Sequence, residues 1–114
     1  MNSYVRNIFV LILIALFALA VLPSNSWAED AVVSTFNSRC ANCHAANGSG
    51  KTPAGAKMSI PDLRSKEVQG LSDAQMYETI ARGTRHKNYP HAYLYTGLNE
   101  NQIRGLVAYI RKLK

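Results

Sequence analysis

Cysteine, histidine and acidic side chains are all scarce in this chain. It has only two cysteines, Cys40 and Cys43, so no set of disulfides staples the fold. It has three histidines, His44, His86 and His91, which leaves few places for metal chemistry. Seven Asp and Glu stand against 13 Lys and Arg, a formal net charge of +6 that bears on partners and solubility rather than on fold. No stretch has a convincing strand pattern, and no internal repeat or low-complexity segment occurs. Aromatics make up 9% of the residues and no nucleic-acid-binding motif is recognisable, so nucleic acid is not the expected target.

What is present begins with a leader pattern. Arg6 gives a short positive region, and an unbroken apolar run from Ile8 to Leu22 follows. Pro23 breaks the run, and "SWA" (Ser26 to Ala28) places small residues at −3 and −1 of a cut after Ala28. This is the tripartite secretory pattern. The alternative is an uncleaved membrane anchor, but the run falls short of the ~20 residues of a usual span. Cleavage is therefore expected, with residues 1–28 as signal peptide and 29–114 as a single exported domain. Loss of Arg6 lowers the formal charge of +6 by one. A domain this short buries a marginal core and needs a staple, such as a metal or cofactor.

Four regions follow. From Ala31 to about Cys43, the apolar positions Val33, Phe36 and Cys40 recur at i, i+3 and i+7, as one helical face requires. Asp30 is the expected N-cap. "NGSGKTPAGAKMSIPD", residues 47–62, is dense in Gly, Pro and Ser and reads as a long irregular loop. "LSDAQM" (Leu71 to Met76) and "LNENQI" (Leu98 to Ile103) each set a capping residue three positions before a glutamine. Apolar residues flank both boxes, Leu71 with Met76 and Leu98 with Ile103. Helices are predicted to start after Ser72 and after Asn99, the first ending near Gly83. The second presents Ile103, Leu106, Val107 and Ile110 on one face, with Arg111, Lys112 and Lys114 set favourably against its dipole. The domain reads as all-α.

The chemistry sits in "CANCH", Cys40 to His44. On a helix, positions i, i+3 and i+4 share a face, so both thiols reach one edge of a haem while the imidazole turns toward its iron. Cys-x-x-Cys-His is the pattern of c-type haem attachment, with the histidine as proximal axial ligand. A thioredoxin-like dithiol would need a βαβ context that is missing. A disulfide between positions i and i+3 of one helix would be strained. A zinc site could draw on His86 and His91, spaced His-x4-His. The stretch from Cys43 to His86, however, far exceeds the usual spacer of about a dozen residues, and Pro90 interrupts any helix presenting both.

From Ala31 to Lys114 the chain resembles the small class I c-type cytochromes of bacteria. Phe36 stands where that family has an aromatic packing on its last helix. "LVAYIRKL" (Leu106 to Leu113) looks like the family's C-terminal helix, with Leu106 and Tyr109 at the crossing. "PDL" (Pro61 to Leu63) resembles its Pro-x-Leu element. The resemblance implies a cytochrome c fold of three to five helices around one covalently attached haem c. It also implies that the Pro61 carbonyl accepts a hydrogen bond from Nδ1–H of His44, and that Leu63 packs against the haem.

The sequence departs from the family on the other side of the iron. There the sixth ligand is usually the methionine of a Met-Pro pair after the Gly that ends the preceding helix. Here "HKNYPH" (His86 to His91) puts Tyr89 before Pro90. Tyr89 at or near the iron ranks first, as tyrosine ligates haem in some proteins. His86 or His91 ranks second and an open sixth site third. Met58 belongs to the loop before "PDL", on the proximal side, and reads as a packing residue.

The expected function is single-electron transfer in an extracytoplasmic chain, without bond-making chemistry. The alternative is a haem sensor or haem enzyme with an open or tyrosine-guarded site. The expected partners are redox proteins with acidic docking surfaces, and membrane-associated redox complexes; Arg82, Arg85 and Lys87 read equally as a rim that steers them and as an ordinary solvated surface. A monomer is expected.

Overall fold

The computed structural model describes residues 2–19, 26–86 and 91–113, and the expectations that fall on Pro23, Lys87, Tyr89, Pro90 and Lys114 lie outside them. Helix α1 (Ser3–Leu19) carries the leader's apolar run, with Ile8, Phe9, Leu11, Ile14 and Phe17 all exposed. Among the described residues no helix is long and apolar enough to cross a membrane.

Helix α2 runs Ser26–Arg39, three residues further back than the notional cut after Ala28. Asp30 therefore lies inside a helix and does not cap it, contrary to expectation. The physical reason is that nothing between Ser26 and Ala31 stops a helix, since neither Gly nor Pro occurs there. The chain next turns at Cys40 into a one-turn helix α3 (Ala41–His44).

Residues 47–62, expected as irregular loop, contain helix α4 (Pro53–Met58). Its start follows local rules. The Thr52 side chain accepts a hydrogen bond from the Gly55 amide at 2.9 Å, and Pro53 occupies the first helical position, where its missing N–H costs nothing. A second short helix that the sequence did not announce, α5 (Lys66–Gln69), is capped by Ser65.

Both capping boxes form as predicted. Ser72 opens α6 (Asp73–Arg82) with Gln75 bonding back, and Asn99 opens α7 (Glu100–Lys112) with Gln102 doing the same. Gly83 ends α6 at φ +75°, a left-handed position that suits glycine. A 3-10 turn, Tyr93–Tyr95, precedes α7. Of the domain's helices, α2, α4, α6 and α7 exceed one turn, and no strand occurs among the described residues.

The core forms where α7 crosses α2 and packs on α6. Its centre is Phe36, Ile103 and Leu106, the largest fully buried side chains, and the predicted α7 face of Ile103, Leu106, Val107 and Ile110 is the buried one. Phe36 meets Tyr109 with ring centroids 5.0 Å apart and tilted by 55°, a favourable aromatic geometry. Gly105 lets the two helices approach, since a Cβ there would fall 2.7 Å from Cγ2 of Val32. Arg111 ties α7 to the start of α6, reaching Asp73 at 2.9 Å and the Gln69 carbonyl at 2.6 Å.

Candidate functional site

Beside this core lies a cavity of about 360 Å³, within the size range of cofactor sites. Its walls are mostly apolar, including Phe36, Leu63, Met76, Ile80, Leu106 and Ile110, with Cys40, His44, His86 and His91 among the exceptions.

Cys40, Cys43 and His44 come from a single turn. The Cys40 carbonyl accepts the amides of Cys43 at 3.1 Å and His44 at 2.9 Å. Both cysteines are half-buried with free thiols, so neither a disulfide nor a strained bridge is involved. Burial pushes the Cys40 thiol up to about 11, with Arg39 opposing and Cys43 adding to the rise.

Backbone holds this turn from below. The His44 carbonyl accepts the Gly50 amide at 2.8 Å, and the Thr52 hydroxyl donates to the Cys43 carbonyl at 3.0 Å. At Gly55 a Cβ would meet the Gly50 carbonyl oxygen at 2.2 Å and that of Cys43 at 2.5 Å, so α4 rests on α3 backbone against backbone. The loop returns past Pro61, and the Leu63 amide donates to the Gly48 carbonyl at 2.8 Å.

His44 is 6% exposed, and its Nδ1 is buried without a hydrogen-bond partner. The hydrogen bond expected from that nitrogen to the Pro61 carbonyl is thus not made. The Pro61 carbonyl instead lies against Gly50, 3.5 Å from where a Cβ on that residue would sit. Leu63 is buried at the cavity wall, and Pro61 also borders the cavity.

The structure brings His86 and His91 to the same cavity. One ring nitrogen from each of His44, His86 and His91 falls within 4.8 Å of the others. Ring centroids lie 6.3 Å apart for His44 and His86, 5.9 Å for His44 and His91, and 4.1 Å for His86 and His91. No cysteine belongs to this cluster, so the two-cysteine, two-histidine zinc arrangement is not formed. Burial lowers His44 to about 4, with His86 adding to the effect. Burial, then His86 and His44, also lowers His91 to about 4. Both imidazoles are therefore neutral at neutral pH, the form that donates a lone pair to a metal.

Met58 also borders the cavity, from the end of α4. Tyr89, the leading distal candidate, lies outside the described residues. Of the expected basic rim, Arg82 pairs with Glu78 one turn away, whereas Arg85 is exposed at the cavity. Sequence reasoning missed Tyr93 and Arg39. The Tyr93 hydroxyl donates to the Arg39 carbonyl at 3.0 Å, and the Arg39 guanidinium donates to the Thr96 carbonyl at 3.1 Å. The only signal for them was position, with Arg39 next to the first cysteine and Tyr93 two residues past His91.

Two thiols and a buried imidazole with an unpartnered Nδ1 share one turn, with Cys40 and His44 at the wall of an apolar cavity, and this set fits a covalently attached haem. No curated protein matches the sequence significantly. The sequence model of the cytochrome c family, by contrast, matches residues 31–114, nearly the whole of the folded domain. The chain belongs to the cytochrome c family, as a haem-based electron carrier with covalently bound haem c.

Proposed function

We propose that this protein moves single electrons between redox proteins outside the cytoplasm, with haem c held by Cys40, Cys43 and His44. The observation that carries the reading is the single turn that bears both thiols and sets Cys40 and the buried imidazole of His44 at the cavity wall. Cys40 and Cys43 would hold the haem through thioether bonds to its two vinyl groups, an addition that consumes no oxidant. Haem c supplies a one-electron iron couple whose conjugated edge conducts to a partner.

The chain's residues do the rest. His44 donates a lone pair from a site that excludes water. Leu63, Met76, Ile80 and Leu106 line the cavity and would give a bound macrocycle apolar neighbours that need not reorient when charge changes. Gly50, Thr52 and Gly55 lock the turn that bears His44. Two imidazoles at the cavity, His86 and His91, support a filled sixth position over an open one, and with it an electron carrier that makes no bonds of its own.

The export reading is supported by the leader pattern and by a family match that starts only at residue 31. Cleavage after Ala28 would trim α2 to a start beside Asp30, where that residue becomes available as a cap. The partner is a redox protein with an acidic surface, met through Arg85 and its basic neighbours by a monomer.

The test is a pyridine haemochrome spectrum of protein matured with haem-attachment machinery. A covalent c-type spectrum that is lost in the variants Cys40→Ala and Cys43→Ala is expected. Protein that folds without retaining haem would refute the assignment.

A further inference from the structure

The cavity leaves one question to the chain's own residues, namely what faces His44. We propose that His91 is the second axial ligand of the haem iron, and that the Tyr93–Arg39 strap positions it. This rests on the haem assignment above.

Distance comes first. Imidazoles bind metals through nitrogen at ~2.0 Å, so two on opposite sides of one ion hold their nitrogens ~4 Å apart. One ring nitrogen of His44 and one of His91 already lie within 4.8 Å of each other, and the ring centroids are 5.9 Å apart. Little movement separates this arrangement from a coordinated pair.

Anchoring then separates His91 from His86. His91 stacks on Tyr93, with ring centroids 5.3 Å apart and planes within 23°. The Tyr93 hydroxyl is fixed to the Arg39 carbonyl, and Arg39 returns a bond to Thr96. Arg39 immediately precedes Cys40, which anchors one edge of the haem. The strap thus fixes the distal histidine relative to the attachment point. His86 follows Arg85, which adopts φ +67°, on the turn that begins at Gly83, and its own ring lies 4.1 Å from that of His91. One iron face takes one ligand, so His86 serves as the neighbouring imidazole that can replace His91 when it is removed.

The experiment uses covalently loaded protein, checked by pyridine haemochrome, so that failure of the haem assignment shows itself separately as absent covalent haem. Visible and EPR spectra of the ferric protein, CO association by the ferrous protein and midpoint potential are measured. The wild type is expected to be low-spin and slow to bind CO. His91→Ala should either become high-spin with CO association at least tenfold faster, or stay low-spin with altered EPR g-values. In the second case the double variant His86→Ala/His91→Ala should become high-spin. Added imidazole should restore a low-spin spectrum to the high-spin variant, which shows that its fold and haem are intact. Tyr93→Phe should keep the low-spin spectrum while CO association rises about fivefold, since loss of one hydrogen bond of ~1 kcal/mol increases the open fraction by that factor. Two results would overturn the proposal. One is a high-spin wild type; the other is an unchanged spectrum in His91→Ala when Tyr89→Phe or His86→Ala alone abolishes the low-spin state.

Discussion

Gly105 lets the two helices that frame the haem cavity touch, and replacing it with alanine tests that geometry. The added Cβ would sit 2.7 Å from Cγ2 of Val32, against a comfortable carbon–carbon separation of ~3.5–4.0 Å. Valine in a helix has one strongly preferred rotamer, so the methyl cannot swing aside and the helices must part. Overpacking of this kind costs ~1–3 kcal/mol. Alanine in place of a mid-helix glycine returns ~0.5–1 kcal/mol. The net loss expected for Gly105→Ala is up to ~2.5 kcal/mol, with a fall of ~4–8 °C in Tm for each kcal/mol in a domain this small. Val32→Ala removes the obstructing methyl. In that background Gly105→Ala should become neutral or stabilising, a coupling of ~1–2 kcal/mol between the two sites. Denaturant titration of the four holoproteins, followed by far-UV circular dichroism, gives the cycle. Equal losses from Gly105→Ala in both backgrounds would show that α2 and α7 do not meet at this point.

The proximal loop should respond more severely. Gly55→Ala places a methyl against two carbonyl oxygens that cannot move without unseating α3, so ~3 kcal/mol or more is expected, read as a collapse in holoprotein yield. Ser72→Ala removes the bond to the Gln75 amide at 3.1 Å and should cost ~1 kcal/mol of stability with no change in haem spectrum. Asp62 is held down to about 2, first by its side-chain hydrogen bonds from Arg64, against an ordinary value of 3.8. A depressed carboxyl contributes stability above its unfolded value and loses it as pH falls through the folded one. Asp62→Asn should therefore flatten the dependence of the unfolding midpoint on pH between about 4 and about 2, and a curve that stays parallel to wild type would refute the assigned cause.

The parts of the fold visible in the sequence were those set by neighbours in the chain. Ser72 with Gln75 and Asn99 with Gln102 are three residues apart, and both boxes formed. The α7 face follows from a 3.6-residue period, and Cys40, Cys43 and His44 meet because one helical turn brings them together. Helix α4 was equally local, but the Thr52–Pro53 start was hidden by surrounding glycines, which lowered the helical reading of the whole stretch. Asp30 precedes the first periodic residue and so resembles a cap, but nothing upstream of it ends the helix. No periodicity links His44 with His86 and His91 across α4, α5 and α6, so only the family resemblance, which sets residues 86–91 on the far side of the iron, points to their meeting. The Tyr93–Arg39 bond is of the same kind, joining opposite ends of the domain.

The two sides of the cavity are built with different stiffness, and this bears on how such a carrier is tuned. On the His44 side, contacts run from backbone to backbone at Gly50, Gly55 and Cys43, where no rotamer change can relieve a displacement. On the His91 side, the contacts followed among the described residues are a ring stack and two side-chain hydrogen bonds, and such a bond contributes only ~0.5–1.5 kcal/mol net. Substitutions near the first side therefore threaten haem retention and folding together. Substitutions near the second can alter the ligand while the domain persists. Because axial ligand identity is a main lever on haem potential, the distal loop is where sequence change shifts the redox function at least structural cost. A chain that reads Tyr89-Pro90-His91 there, and not Met-Pro, differs at the position of that lever from the family pattern while its Cys40-to-His44 turn matches it.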